Sequence, residues 1–222
     1  MKYIYASDWH PAIAVLQERL EQELITGKRV LWLVSGGSNI AGSVYLIHDL
    51  EPQLTANLTI MPVDERYGLV GHPDSNGAQL MAAGFERQQA TLIEILQPNM
   101  SFEATANHFE NLARQAFAQS DIIIAQLGIG ADGHIAGILP HTSALTDPAF
   151  VSGYASQPYQ RLTLTQHALK RISAAYVLAF GADKQSTLEQ LSTKMVPYAD
   201  QPAQILKELP EAYVFSDQIK AA

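Results

Sequence analysis

Four stretches of this chain are apolar almost without interruption, and each stops at a cluster of small or charged residues. Val30 to Val34 (VLWLV) stops at Ser35-Gly36-Gly37-Ser38-Asn39, and Leu58 to Val63 (LTIMPV) at Asp64-Glu65-Arg66. Asp121 to Gln126 (DIIIAQ) runs into Leu127 to Pro140, and Ala174 to Phe180 (AAYVLAF) into Gly181-Ala182-Asp183-Lys184. A strand with no polar alternation must be buried on both faces, which requires a sheet covered by helices on each side. Helical patterns lie between the runs. Ala12 to Ile25 places Ile13, Leu16, Leu20 and Leu24 at three- and four-residue spacing, with Asp8 available as a cap and Pro11 in the first turn. Ala41 to Leu50, Ala78 to Phe85 and Phe102 to Ala118 read as further helices, followed by shorter ones at His167 to Arg171, after Lys184 as far as Leu191, and at Ala203 to Leu209. Ala90 to Leu96, Phe150 to Ser156, Arg161 to Leu164 and Ala212 to Phe215 read as additional strands. This alternation predicts an α/β protein with a doubly wound, mainly parallel sheet and helices on both faces, in one domain spanning residues 1–222.

In such a sheet a ligand binds beyond the carboxyl ends of the strands. Four polar segments should meet there: Ser35 to Asn39, Asp64 to Asn76, Gly128 to Pro140, and Arg161 with Gly181 to Lys184. The first is a strand-to-helix junction where free backbone N–H groups favour an anion, or else a tight turn with Ser or Asn as the cap. The second is longer than most connections and is expected to be a loop. Asp64 there could equally cap a helix, and Arg66 could make a surface pair. The third, LGIGADGHIAGILP, holds Asp132 and His134 one residue apart among glycines that let a ligand approach the backbone. Asp132 can orient the imidazole, hold the loop as an Asx-turn, or do both. Gly128, Gly130 and Gly133 also fit the GxGxxG spacing of dinucleotide sites. That pattern requires a helix opening through the last glycine and an acidic residue about 20 positions on. Here Pro140 follows too soon and Asp147 lies in a turn-like TDPAF, so no nicotinamide cofactor is expected.

Composition removes several classes. A formal charge of −8 argues against nucleic acid and anionic membranes as partners, although an anionic small molecule can still be met by a few concentrated cations. The chain has no cysteine, which excludes disulfides, thiol catalysis and zinc–thiolate sites. His134 has no spaced set of partner ligands, so no metal is expected. His10, His48, His72, His108, His141 and His167 read as surface or packing residues. There is no signal-peptide pattern at the start and no stretch of about 20 apolar residues, and the expected location is the cytoplasm.

Taken together, the four segments resemble the 6-phosphogluconolactonase branch of the glucosamine-6-phosphate isomerase and lactonase superfamily, in that family's order along nearly the whole chain. The family pattern is SGGS, then DER with a later dSN, LGxGxDGHxAxxxP, RxTLT and GxxK. It appears here as Ser35 to Ser38, Asp64 to Arg66 with Asp74-Ser75-Asn76, Leu127 to Pro140, Arg161 to Thr165, and Gly181 to Lys184. The sibling deaminases resemble one another in having DEY, SY and a glutamate five residues beyond the DGH histidine, where this chain has Arg66, Asn76 and Leu139. Ile135 is closer to the deaminase loop. The chain departs from the lactonase pattern at Asn39-Ile40, Gly77, Ala131 and His141.

The resemblance implies a Rossmann-like fold of the sugar-phosphate isomerase and lactonase type. It also implies hydrolysis of 6-phospho-D-glucono-1,5-lactone to 6-phosphogluconate, a step of the oxidative pentose phosphate pathway, without a cofactor. An ester hydrolase needs a base for water, a proton for the leaving oxygen and donors for the oxyanion. A histidine can make both proton transfers near neutral pH. The implied catalytic set is His134 with Asp132 and Asp64. The implied substrate-binding set is Gly36, Gly37, Ser38, Arg66, Asn76, Gly130, Arg161 and Lys184, with the phosphate met by the first loop, Arg161 and Lys184. The implied partner is a phosphorylated sugar lactone, acted on by a monomer or small homo-oligomer. The other readings are a glucosamine-6-phosphate deaminase-like enzyme, a sugar-phosphate sensor without turnover, and a nicotinamide enzyme.

Overall fold

The computed structural model describes residues 1–219, so the last three residues of the expected domain lie outside the described residues. Seven parallel strands form the main sheet in the order β1 (Lys2–Tyr5), β10 (Glu211–Ser216), β9 (Ala174–Leu178), β6 (Ile122–Gly128), β2 (Val30–Val34), β3 (Leu58–Pro62), β5 (Thr91–Leu92). The pleat of β2 shows why its sequence does not alternate. Leu31 and Leu33 enter one core with Phe109, Ala113 and Phe117 of α4 (Phe102–Gln119), and Leu188 and Leu191 of α6 (Gln185–Thr193) join them. Val30, Trp32 and Val34 enter the other, against α1 (His10–Ile25) and α2 (Ile40–Asp49). Ile13, Leu16 and Leu20 of α1 have no exposed surface. Burial of each contributes about 1.5–3 kcal/mol relative to leaving it in water.

The chain moves outward from β2 to β3 and β5, crosses back through α4, and inserts β6 on the other side of β2. The winding direction therefore reverses between β2 and β6, and the carboxyl ends of these two strands flank the natural ligand crevice.

Sequence expectations need correction in several places. Asp64–Arg66 is a strand, β4, not part of a loop; it pairs antiparallel with β8 (Tyr159–Leu164), which pairs with β7 (Val151–Ser156). This three-stranded sheet is separate from the main one and forms because the chain bends after Pro62. β1 was not expected, since KYIY is only half-buried and lacks the unbroken apolar character of the inner strands. The strand expected at Ala90 to Leu96 is limited to β5 at the sheet's edge. The helix expected from Ala78 begins instead at Asn76 as α3 (Asn76–Ala82), because the Ser75 hydroxyl accepts from the Ala78 N–H and caps it. The helix expected at His167 to Arg171 is the single turn α5 (Gln166–Leu169), and Ala203 to Leu209 is a 3-10 helix at Pro202–Lys207. Among the described residues, no helix is long and apolar enough to cross a membrane.

Candidate active site

The segments after β2, β3, β6 and β9, together with β4 and β8 of the small sheet, close around a crevice of about 260 Å³. Ten of the eleven residues expected in the site line it, from Gly36, Gly37 and Ser38 through Asp64, Arg66, Asn76, Gly130 and His134 to Arg161 and Lys184. Asp132 stands behind His134 rather than on the wall. None of the six other histidines lines the crevice.

After β2, Gly37–Asn39 makes one turn of 3-10 helix that leads directly into α2, and no side chain caps either start. The first backbone N–H groups and the positive end of the α2 dipole thus face the crevice. Beneath this turn, the buried Gln126 donates to the Asn39 carbonyl at 2.9 Å and accepts from Ser43 Oγ at 3.0 Å, fixing the loop to β6.

After β6 the chain makes no helix; Ile129 to Ile138 is a compact loop with isolated bridges between Ile129 and Ile135 and between Ile135 and Ile138. This geometry rules out the helix that a dinucleotide fingerprint requires. Gly133 turns the loop at φ +83°, a region costly for any residue with a Cβ. A Cβ on Gly130 would run into the His134 ring. The Gly130 N–H is itself bonded to the His134 carbonyl, so this glycine supplies room for the ring and not a donor to a ligand.

Asp132 accepts from both the ring and the backbone of His134, at 2.6 Å from Nδ1 and 3.2 Å from the amide nitrogen. A carboxylate can only accept, so Nδ1 carries a proton and Nε2 of the neutral ring keeps its lone pair for the crevice. Partial burial would raise the Asp132 carboxyl, but attraction to the His134 ring in its protonated form and the hydrogen bonds from His134 outweigh it and hold the carboxyl below its ordinary range. Asp132 therefore both orients the ring and forms the Asx-type turn.

Asp64 is buried, and burial pushes its carboxyl up while Arg161 and Arg66 pull it down; burial prevails. Asn76 Nδ2 donates to its backbone oxygen at 2.9 Å and its Oδ1 at 3.1 Å, and Arg161 Nη1 lies 3.7 Å from Oδ2. Asp64 does not cap a helix. Glu65, almost fully buried, shares that work with Ser75: it accepts from Asn76 N at 2.7 Å and Gly77 N at 2.9 Å at the start of α3, and also from Ser75 Oγ at 3.0 Å and Arg66 N at 2.7 Å. The sequence reading passed over Glu65 as one of three adjacent charges. Its one signal was its place between two residues that were assigned to the site.

The antiparallel register sets Arg66 directly opposite Arg161. Like charges so placed repel unless something lies between them. Arg66 Nε has no partner among the described residues, and Arg161 is held by Ser156 Oγ at 3.3 Å. Lys184, from the turn after β9, also reaches the crevice, although its Nζ is 2.7 Å from Asp183 Oδ2. Other wall residues escaped the sequence reading. Asn39 is buried with its Oδ1 unpartnered among the described residues, and Gly137 packs so closely on Asp64 that a Cβ would collide with the carboxylate.

The model of the family described as glucosamine-6-phosphate isomerases/6-phosphogluconolactonase matches residues 9–214. A 6-phosphogluconolactonase of Helicobacter pylori is 31% identical over 150 residues, which are 65% of this chain and 64% of that protein, so the chain spans a little under two thirds of that relative's length. A 6-phosphogluconolactonase of Synechocystis is 31% identical over 168 residues, 70% of this chain and 68% of the relative. Among solved structures, a 6-phosphogluconolactonase from Shewanella baltica superposes with a TM-score of 0.82 over 97% of both chains at 19% identity, a likeness of fold. A family model that covers almost the whole crevice-bearing chain, from the start of α1 into β10, leaves one assignment: the chain belongs to the glucosamine-6-phosphate isomerase and 6-phosphogluconolactonase family.

Proposed function

We propose that this protein hydrolyses 6-phospho-D-glucono-1,5-lactone to 6-phosphogluconate, the lactonase step of the oxidative pentose phosphate pathway. The observation that carries the reading is the Asp132–His134 pair, 2.6 Å apart, opening onto a crevice that is also lined by two arginines set opposite each other in the β4–β8 register. The same crevice offers a base and cations for a dianion.

On this reading His134 Nε2 takes a proton from water as the water oxygen bonds to the lactone carbonyl carbon. The carbon–ring oxygen bond then breaks, and the same imidazole returns the proton to the departing oxygen, which becomes a hydroxyl. Asp132 keeps the ring in the required tautomer and stabilises the imidazolium. Arg66, Arg161, Lys184 and the Gly36 to Ser38 backbone meet the phosphate, whose charge of nearly −2 suits several donors at once. Asp64 and Asn76 form a hydrogen-bonded pair on the crevice wall facing His134, suited to ordering the water or a sugar hydroxyl. Every one of these groups comes from one chain, so the reading needs no contribution from a partner subunit. It takes residues 1–222 as one domain working in the cytoplasm, as a monomer or small homo-oligomer.

The test is a direct comparison of freshly generated lactone with glucosamine 6-phosphate. Lactone hydrolysis well above the spontaneous rate with no ammonia release is expected, because Leu139 cannot move a proton where the deaminases have glutamate. Robust deamination, or binding without turnover, would overturn the assignment.

A further inference from the structure

The two arginines that face each other across β4 and β8 are not free to choose their direction. Between and beside them lies Tyr159, the first residue of β8, two positions before Arg161 and therefore on the same face of the small sheet. The centre of its ring is 5.3 Å from the Arg66 guanidinium carbon and 5.7 Å from that of Arg161. Its hydroxyl donates to Asp74 Oδ1 at 3.2 Å, and the carbonyl of the same Asp74 accepts from Arg66 Nη1 at 3.0 Å. Opposite Tyr159 in the hairpin register is Ser156, whose Oγ accepts from Arg161 Nε. One aromatic side chain thus touches both cations and is tied to the loop segment that holds one of them.

We propose that Tyr159 is a positioning residue for phosphate recognition: its π face lowers the cost of setting two guanidinium groups opposite one another and keeps both turned toward the crevice. The inference rests on the reading of Arg66 and Arg161 as phosphate ligands. Without such a face the opposed guanidinium groups would keep only their contacts to Asp74, Ser156 and Asp64 against their mutual repulsion, and the anion would have to gather them on binding. Tyr159 does not touch the reacting atoms, so its loss should appear in affinity and not in the chemical step.

The experiment measures KM and kcat on fresh lactone and calorimetric binding of 6-phosphogluconate for Tyr159→Leu, Tyr159→Phe and Tyr159→Trp, with Arg161→Ala in parallel. Tyr159→Leu should raise KM and weaken 6-phosphogluconate roughly tenfold with kcat within about threefold of wild type, from loss of both cation–π contacts. Tyr159→Phe, which keeps the ring and loses only the Asp74 bond, should lie between Leu and wild type, and Tyr159→Trp should restore most of the affinity. Tyr159 is half-buried at a hairpin end, and thermal midpoints identify the folded variants. If Arg161→Ala weakens binding while Tyr159→Leu does not, or if Leu and Trp bind alike, positioning by the ring is wrong and the phosphate site stands. If Arg161→Ala binds 6-phosphogluconate as wild type does, the phosphate reading fails and this inference with it. A fall in kcat equal to the rise in KM would make Tyr159 part of the chemistry and overturn the proposal in the other direction.

Discussion

Replacing His134 by Asn separates the proposed chemistry from the loop's architecture. The imidazole is half-exposed, and its one hydrogen bond among the described residues is that from Nδ1 to Asp132. The backbone contacts that hold the loop, Gly130 N to His134 O and His134 N to Asp132 Oδ1, do not need the ring. Loss of a half-exposed ion pair costs about 0–1 kcal/mol of stability. Loss of a positioned acid–base group lowers turnover by roughly 10²–10⁴, which raises the barrier by about 2.7–5.5 kcal/mol. The two magnitudes barely approach each other, so a folded and nearly inactive protein is the expected result. The assay should follow freshly made lactone continuously, with spontaneous hydrolysis subtracted, because that background can conceal a large loss behind a modest apparent one. Calorimetry with 6-phosphogluconate then checks that binding has changed much less than turnover. Near-normal turnover above background in folded His134→Asn would make the histidine structural and move the search for the base to Asp64.

Arg161→Ala should weaken 6-phosphogluconate roughly tenfold or more, the value of one charge-assisted contact, as measured by calorimetry. Lys184→Ala should lose less, since Asp183 already engages its ammonium at 2.7 Å. His141 sits at φ +60°, and a left-handed L residue costs about 1–2 kcal/mol. His141→Gly should therefore leave unfolding free energy unchanged or raise it by up to about 1 kcal/mol, after the entropy cost of glycine, whereas His141→Val should lower it in urea titrations. For Asp64 the folded carboxyl is raised by burial, so its contribution is fully present below the unfolded value of about 3.9 and is lost as pH rises through the folded value. Asp64→Asn should flatten the pH dependence of stability across that window, and an unchanged slope would show that burial does not govern this group.

The inner strands were legible because burial on both faces leaves no room for polar residues, and VLWLV or AAYVLAF can hardly be read otherwise. Each polar segment at a strand end was legible for a similarly local reason: Gly36, Gly37 and Ser38 have to sit at a tight junction, and Asp132 and His134 are too close in sequence to be far apart in space. The small sheet had no such local signature. β4 is three charged or polar residues, and its partner lies about a hundred positions away, so nothing near Asp64 in the sequence distinguishes a strand from a loop. Yet this non-local pairing sets Arg66 against Arg161, and the two-residue period of β8 then places Tyr159 beside both. Glu65 was obscured by the same gap. Only once β4 is a strand does its side chain alternate away from Asp64 and Arg66 toward the start of α3, where it gathers three donors. The proposed catalytic pair is thus a property of one loop, readable from spacing, whereas the proposed anion-binding wall is a property of register. A substitution that slipped β4 by one residue would leave the Asp132–His134 pair untouched while turning Arg66 to the opposite face.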